Sequence, residues 1–548
     1  MPTLQFKGKS VIWNHHLSVP YHTLEEDKNL SFQAEKGEGN LIIEGDNLLA
    51  LKALLPQYSG KVKCIYIDPP YNTGNESWVY NDNVNSPLIN DWIGKEVGVD
   101  DLTRHDKWLC MMVPRLKLLR DLLSDEGVIF ISIDDNEQHH LRQVGDEVFG
   151  EENFVTNIIW QKKFSPQNDA KYFSDMHDFI VCYAKKKING SAGGWIRNLL
   201  PRTTEMAERY SNPDDDPRGP WTSSDMTVKT YSKEYDYPIK TPSGRVAHPP
   251  KGRCWFSGKE AITGLIKDNR VWFGESGGNV PRLKTFLSEV QEGLVPVTIW
   301  FHEEVGHNQE AKQELKELFG GESAFDSPKP VSLIKRVLQL ATSKDSVVLD
   351  SYAGSGTTMH AVMDLNEDDG GNRKCILVQM AEATDKEPRK NICKDITQER
   401  IRRAIKKNEY KSGFRYFRVG EAVDAETMLS GKLPTFSQLA KYVYYLCTGS
   451  HVQSEIPFTG DEKKIDERSY FVGSTSNERI YLVYDKDYDK LTHLALNLDL
   501  AKTFLKESPG KKIIVYAPAC FLDEEYMAEK RIEFVSVPYN LFTKSLNR

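Results

Sequence analysis

No C-x-x-C pair occurs in the 548 residues, and the eight cysteines (64, 110, 182, 254, 375, 393, 447 and 520) stand far apart. That scatter argues against a zinc site or a disulfide framework and predicts small buried hydrophobes instead. No run approaches the roughly 18 apolar residues that a membrane span requires. The opening MPTLQFKGKSVIWNHHLSV has no continuous apolar core followed by a small-residue cleavage site, so a cytoplasmic protein without a membrane partner is expected. Internal repeats and low-complexity tracts are missing, as are a Walker loop and a nuclease motif. What remains is ordinary globular material, 39% hydrophobic and 27% charged, long enough for two to four domains. The net charge of −8 is uneven: residues 161–290 hold 21 Lys+Arg against 15 Asp+Glu, a local +6 that leaves −14 elsewhere. A basic surface on an acidic chain suits a nucleic-acid groove, and it also suits chance.

Apolar runs alternate with helix-like segments. NLIIEGD (40–46) precedes NLLALKALLPQY, then VKCIYI (62–67), then the long helical HDKWLCMMVPRLKLLRDLL and the run GVIFISI (127–133). The helix-like NEQHHLRQVGDEVF and the segment FIVCYAKKK follow. Such alternation predicts a doubly wound, mostly parallel α/β sheet of Rossmann-like type. Regularity stops near Lys187 and resumes with PVSLIKRVLQLA, SVVLDSYAGSGTT, KCILVQM and TQERIRRAIKK. The predicted organisation is an arm (1–39), a first α/β part (40–187), an irregular insert (188–300), a second α/β part (301–420) and a small C-terminal α/β domain (421–548).

Two strand ends carry chemistry. Asp68 stands where VKCIYI finishes, and ligands of open parallel sheets bind beyond such carboxyl ends. Pro69 and Pro70 stop the strand and bring no N–H groups, so the loop offers a carboxylate and bare carbonyls. That suits an amine; Tyr71 is placed to stack on the ring that bears it. D-P-P-Y is also a plain turn signal. The second strand end is SVVLDSYAGSGTTMHAV, where Asp350 closes a strand and Gly354 and Gly356 let backbone approach a ligand closely. A dinucleotide fingerprint wants a third glycine near Met359, and a Walker loop wants lysine where Thr357 stands, so a different nucleotide-type cofactor is expected.

These motifs resemble those of the S-adenosylmethionine-dependent amino-DNA methyltransferases. IDPPY first and DSYAGSGTT about 280 residues later is the order of the β class. IEGDNLLALKAL, DPPYNTGN, DEGVIFISIDDNE, VFGEENFV, PKPVSLIKRVL and ILVQM in succession resemble the Mod subunits of Type III restriction-modification systems. The resemblance implies that Asp68, Pro69, Pro70 and Tyr71 hold a flipped adenine. Asp350, Tyr352, Gly354 and Gly356 would then bind S-adenosylmethionine, with Glu382 on its ribose, Asp46 beside its adenine, and Lys329 and Pro330 completing the pocket. Aspartate at position 68, where cytosine-N4 enzymes usually carry serine, points to adenine N6. No metal and no cysteine nucleophile are called for.

By the same resemblance, residues 188–300 occupy the place of a target-recognition domain for double-stranded DNA. Trp195, Trp221, Tyr231, Trp255 and Trp272 alternate there with Arg197, Arg202, Arg218, Arg245, Arg253 and Arg270, a mixture suited to phosphate and base contacts. At least half of those aromatics are expected to pack inward. A separate restriction (helicase/endonuclease) subunit and a homodimer are the implied protein partners. The alternatives are a cytosine-N4 or RNA methyltransferase, and a non-catalytic recognition subunit of a restriction complex.

Overall fold

The computed structural model describes residues 2–37, 39–73, 103–168, 170–188, 193–202, 208–290, 293–382, 389, 391–449 and 470–537. Gly74 and Asn75, the end of the DPPYNTGN motif, lie outside them. Two compact units emerge: residues 1–198 together with 297–548, and residues 199–296. Trp195 and Arg197 of the expected insert therefore belong to the first unit. Among the described residues no helix is long and apolar enough to cross a membrane.

The first unit is built on a ten-stranded sheet. Its strands in chain order are β1 (His22–Glu26), β2 (Leu41–Glu44), β3 (Val62–Ile67), β4 (Leu123–Ile133), β5 (Phe154–Gln161), β6 (His177–Ala184), β7 (Ile299–Trp300), β8 (Val347–Asp350), β9 (Lys374–Gln379) and β10 (Arg415–Ala422). In space they run β1-β10-β2-β9-β8-β3-β4-β6-β5-β7. The centre, from β10 to β4, is parallel, as expected for strands joined by helical crossovers. FIVCYA forms β6, which runs antiparallel between β4 and β5. Ile180, Val181, Cys182, Tyr183 and Ala184 are all buried there, so this run packs on both faces like the parallel strands beside it.

Helices α1 (Asn47–Tyr58) and α2 (Arg104–Leu122) share one apolar core with β3 and β4, while α3 (Gln138–Phe149) adds Leu141, Val144, Val148 and Phe149 to it. A capping box at Thr103 and Asp106 starts α2. On the glycine side, α4 (Val331–Ala341) packs on α5 (Thr357–Asp369). C-terminal residues 471–536 form a separate four-stranded sheet within the same unit, covered on one face by the helix Phe436–Thr448.

The second unit has short antiparallel sheets: Trp221–Asp225 and Val271–Trp272 flank Arg282–Phe286. Its core holds Met226, Ile239, Trp255, Ile262, Val271 and Phe273. The Lys284 ammonium is wholly buried between the carboxylates of Asp214 and Asp216, and lies 5.2 Å from the Trp221 ring. Burying a lone cation is prohibitive, so these two acids are what permit it.

Candidate active site

Every residue of β3 except Lys63 is buried, and the strand runs without interruption to Asp68. There the two prolines end the ladder. The indole N–H of Trp108, from the first turns of α2, donates to the Pro70 carbonyl at 2.7 Å and sets the path of the loop. The Tyr71 hydroxyl donates to Asp68 Oδ1 at 2.7 Å, while the ammonium of Lys329 pairs with Asp68 Oδ2 and lies 5.3 Å from the Tyr71 ring centre. Burial, then the negative charge of Asp68, holds the Tyr71 hydroxyl well above its ordinary pKa. It therefore stays a donor.

The next residue, Asn72, is buried in the left-handed region at φ 58°, where asparagine is tolerated better than most residues. Its amide donates to the Arg104 carbonyl at 3.2 Å and to Glu137 Oε1. The Glu137 side chain has no exposure, and it also accepts from His105 Nδ1 at 2.7 Å and His140 Nδ1 at 2.8 Å. One buried carboxylate thus ties the end of the D-P-P-Y loop to the starts of α2 and α3. Sequence reasoning assigned Glu137 no role. Its only signal is an acid closing DDNE, which is indistinguishable from a surface turn until the fold buries it.

The glycine turn follows β8. Gly354 and Gly356 have φ of 51° and 83°, a region that side chains rarely adopt. A Cβ on Gly356 would meet Thr397 at 3.2 Å, and one on Gly354 would meet the Phe325 ring at 3.3 Å. The Gly354 N–H donates to Gln379 Oε1 at 2.7 Å, and Gln379 Nε2 donates to Glu382 at 2.7 Å. Gln379, another residue not singled out from sequence, therefore joins the turn to Glu382, itself at φ 54°.

Asp350 is buried and accepts from the Tyr352 N–H at 3.0 Å and the Thr358 hydroxyl at 2.5 Å. Desolvation, aided by the charge of nearby Asp68, raises its pKa to about 7 against the opposing pull of those donors. The Tyr352 hydroxyl reaches Met112 Sδ of α2 at 3.4 Å.

Parallel pairing of β8 with β3, in which Leu349 faces Ile65, sets Asp350 and Asp68 at neighbouring strand ends. Lys329 spans the two: its carbonyl accepts from Thr357 Oγ1 at 3.2 Å at the head of α5, and its ammonium sits on Asp68. Pro330 is the residue before α4. Lys329, expected in the cofactor pocket, thus directs its charge at the D-P-P-Y loop. Asp46 lies two residues past β2, the strand next to β9, and its Oδ1 caps α1 through the N–H groups of Leu48 (2.8 Å) and Leu49 (3.2 Å). Its other oxygen faces Arg115 at 3.3 Å. Helix capping accounts for this aspartate locally.

The model of the DNA methylase family matches residues 62–407, which contain both strand ends and everything between them. This chain belongs to the DNA methylase family. The chain is 38% identical over 407 residues to the Mod subunit of the Type III restriction-modification enzyme StyLTI of Salmonella typhimurium, covering 71% of this chain and 59% of that one. It is 35% identical over 467 residues to the EcoPI Mod subunit of Escherichia phage P1, covering 75% of this chain and 70% of the relative. Against the EcoP15I Mod subunit of Escherichia coli the figures are 31% over 468 residues, 76% and 71%. The chain thus spans a little under three fifths of the first relative's length and about seven tenths of the other two.

In the second unit, Trp255 and Trp221 are buried whereas Tyr231 is 52% exposed. Arg218 and Arg270 are engaged by Asp216, Asp268 and Glu289. A cavity of about 600 Å³ opens beside Trp221 and Trp272, with Arg209, Ser223 and Asn279 on its wall.

Proposed function

We propose that this methylase is a site-specific DNA methyltransferase acting on N6 of an adenine drawn out of the double helix, with S-adenosylmethionine as methyl donor. The observation that carries the reading is the adjacency of the D-P-P-Y loop and the glycine turn on paired strands β3 and β8.

The residues present fit that cofactor. The left-handed Gly354 and Gly356 present bare backbone at two positions of the turn. The buried Ser351 hydroxyl has no hydrogen-bond partner among the described residues. Asp350 is a buried carboxyl on the verge of ionising, which a cationic ligand would favour. Asp350, Tyr352, Gly354, Gly356 and Glu382 would hold it, with Asp46 and Pro330 at the margin. When bound, S-adenosylmethionine supplies an electrophilic methyl group.

The chain does the positioning. Asp68 and the Pro69 carbonyl accept the two hydrogens of the exocyclic amine, concentrating on nitrogen a lone pair otherwise delocalised into the ring. Tyr71 stacks on the extracted base, recovering on the order of 1–3 kcal/mol of lost stacking. Lys329 and the Tyr71 hydroxyl keep the Asp68 carboxylate oriented before the base arrives. Acceleration comes from alignment and from acceptors fixed around the amine.

The relatives named as Mod subunits favour a modification subunit of a Type III system, or a solitary relative, working with a separate restriction subunit. A homodimer fits the same reading. The test is methylation-aware sequencing of DNA from cells expressing wild type or Asp68→Ala, with nucleoside digestion to identify the product. N6-methyladenine at one sequence motif, absent with Asp68→Ala, is the expected result. N4-methylcytosine, or sequence-specific binding by a wild type that transfers nothing, would overturn it.

A further inference from the structure

Residues 162–176 join β5 to β6. Because β6 runs antiparallel to β4, with Phe179 opposite Ile133, this connection leaves the sheet from the same edge as Asp68. Its root is braced. The Lys162 ammonium bonds Asp178 and Asp175, each at 2.7 Å, and the backbone N–H of Lys162 donates to the Met176 carbonyl at 2.9 Å. Asp178 lies close enough to Asp68 and Lys329 to feel both charges. Higher up, the Gln167 N–H donates to Ser174 Oγ at 2.7 Å and closes the loop across its width. Beyond that bond, Tyr172 is 83% and Phe173 96% exposed.

A single exposed apolar residue on a soluble protein needs no explanation. Two adjacent rings almost wholly in water, on a loop stapled at its root beside the candidate catalytic carboxylate, do need one. Extracting a base leaves a gap one base thick with an unstacked face on each side, and an aromatic ring fits that gap. Lys171 is exposed next to Tyr172, its ammonium 5.5 Å from that ring, and supplies a cation for the backbone phosphate beside the gap.

We propose that Tyr172 and Phe173 form a wedge that enters duplex DNA at the position vacated by the extracted base and holds the helix open during transfer. This rests on the base-extraction reading above and adds the residues that would perform it. Tyr71 grips the base outside the helix; the wedge replaces it inside.

The test uses the full chain and two duplexes carrying the methylated motif found for wild type, one fully paired and one with an abasic nucleotide opposite the target adenine. The double variant Tyr172→Ala/Phe173→Ala should lose on the order of ten- to a hundredfold in kcat/KM on the paired duplex, the loss expected for one stacking contact. On the pre-opened duplex it should come within about threefold of wild type, since little unstacking remains to be offset. Both rings are exposed, so the unfolding temperature should not move, and Phe173→Trp should keep activity. An unchanged rate on paired DNA overturns the wedge, as does an equal loss on both duplexes. So does a loss accompanied by a fall in solution mass by light scattering, which would assign the rings to an interface between copies of the chain. The reading of the active site survives each of these results; it falls if wild type transfers no methyl group to DNA or if its product is N4-methylcytosine.

Discussion

The proposed place of Asp350 in the cofactor pocket predicts that binding depends on pH in one direction. Burial raises its carboxyl from 3.8 to about 7, a penalty on the charged form of about 4 kcal/mol. Between those values the folded, ligand-free protein holds a proton that the unfolded chain has released. Its contribution therefore weakens the fold as pH rises from 3.8 toward about 7. A cationic ligand reverses the preference: the carboxylate becomes the favoured form and the proton leaves on binding. Affinity for S-adenosylmethionine should then climb with pH, by up to about tenfold per unit below pH 7, and level off above it. Titration calorimetry from about pH 5.5 to 8.5, in two buffers of different ionisation enthalpy, reads both the affinity and the proton count; near pH 6 about one proton should be released per cofactor bound. Asp350→Asn should bind more weakly and lose most of the slope. A wild-type affinity flat across that range, or a slope retained in Asp350→Asn, would refute the assignment of Asp350 as the group that meets the positive charge.

Replacing Asp68 by alanine should lower methyl transfer by on the order of 10²–10³-fold, as for loss of one aligned polar partner, while calorimetry still detects cofactor binding. Glu137→Ala removes the acceptor shared by Asn72, His105 and His140 and should cost about 3 kcal/mol or more in urea unfolding; Glu137→Gln, which keeps one acceptor, should cost less. Lys284→Met leaves Asp214 and Asp216 without the cation between them. It should destabilise the second unit by about 3–5 kcal/mol in denaturation followed by tryptophan fluorescence, with cofactor affinity unchanged. His360 is held neutral by burial, and secondarily by Arg400, with its pKa lowered to about 3. Between about pH 3 and 6.5 the unfolded chain binds that proton and the folded chain does not, so stability should fall as pH drops from 6.5 toward about 3, by up to about 5 kcal/mol; His360→Gln should make the decline shallower.

The alternation of β-branched runs and helical periods was readable because each element carries its own period. The acids at Asp68 and Asp350 were readable because they terminate apolar runs. Gly354 and Gly356 were readable because a left-handed turn is cheapest for glycine. The insert was visible as a loss of period, yet which of its aromatics face inward was not. Trp255 is buried and Tyr231 exposed within the same composition of tryptophan, tyrosine and arginine.

What the amino-acid order determined alone is therefore local: the strand ends, the glycine turn, the D-P-P-Y loop and the residue types each presents. Only the folded chain decided which distant groups meet. Lys329 reaches Asp68 across 261 positions, Gln379 fastens Gly354 to Glu382, and Glu137 secures Asn72 across 65 positions. The braced loop bearing Tyr172 and Phe173 leaves the sheet at the same end as Asp68 because β6 turns back antiparallel on β4. Backbone periods and turn chemistry act over a few residues. Sheet order and burial are set by packing the whole apolar surface at once, and that is why Lys329, Gln379 and Glu137 acquire their partners only in three dimensions.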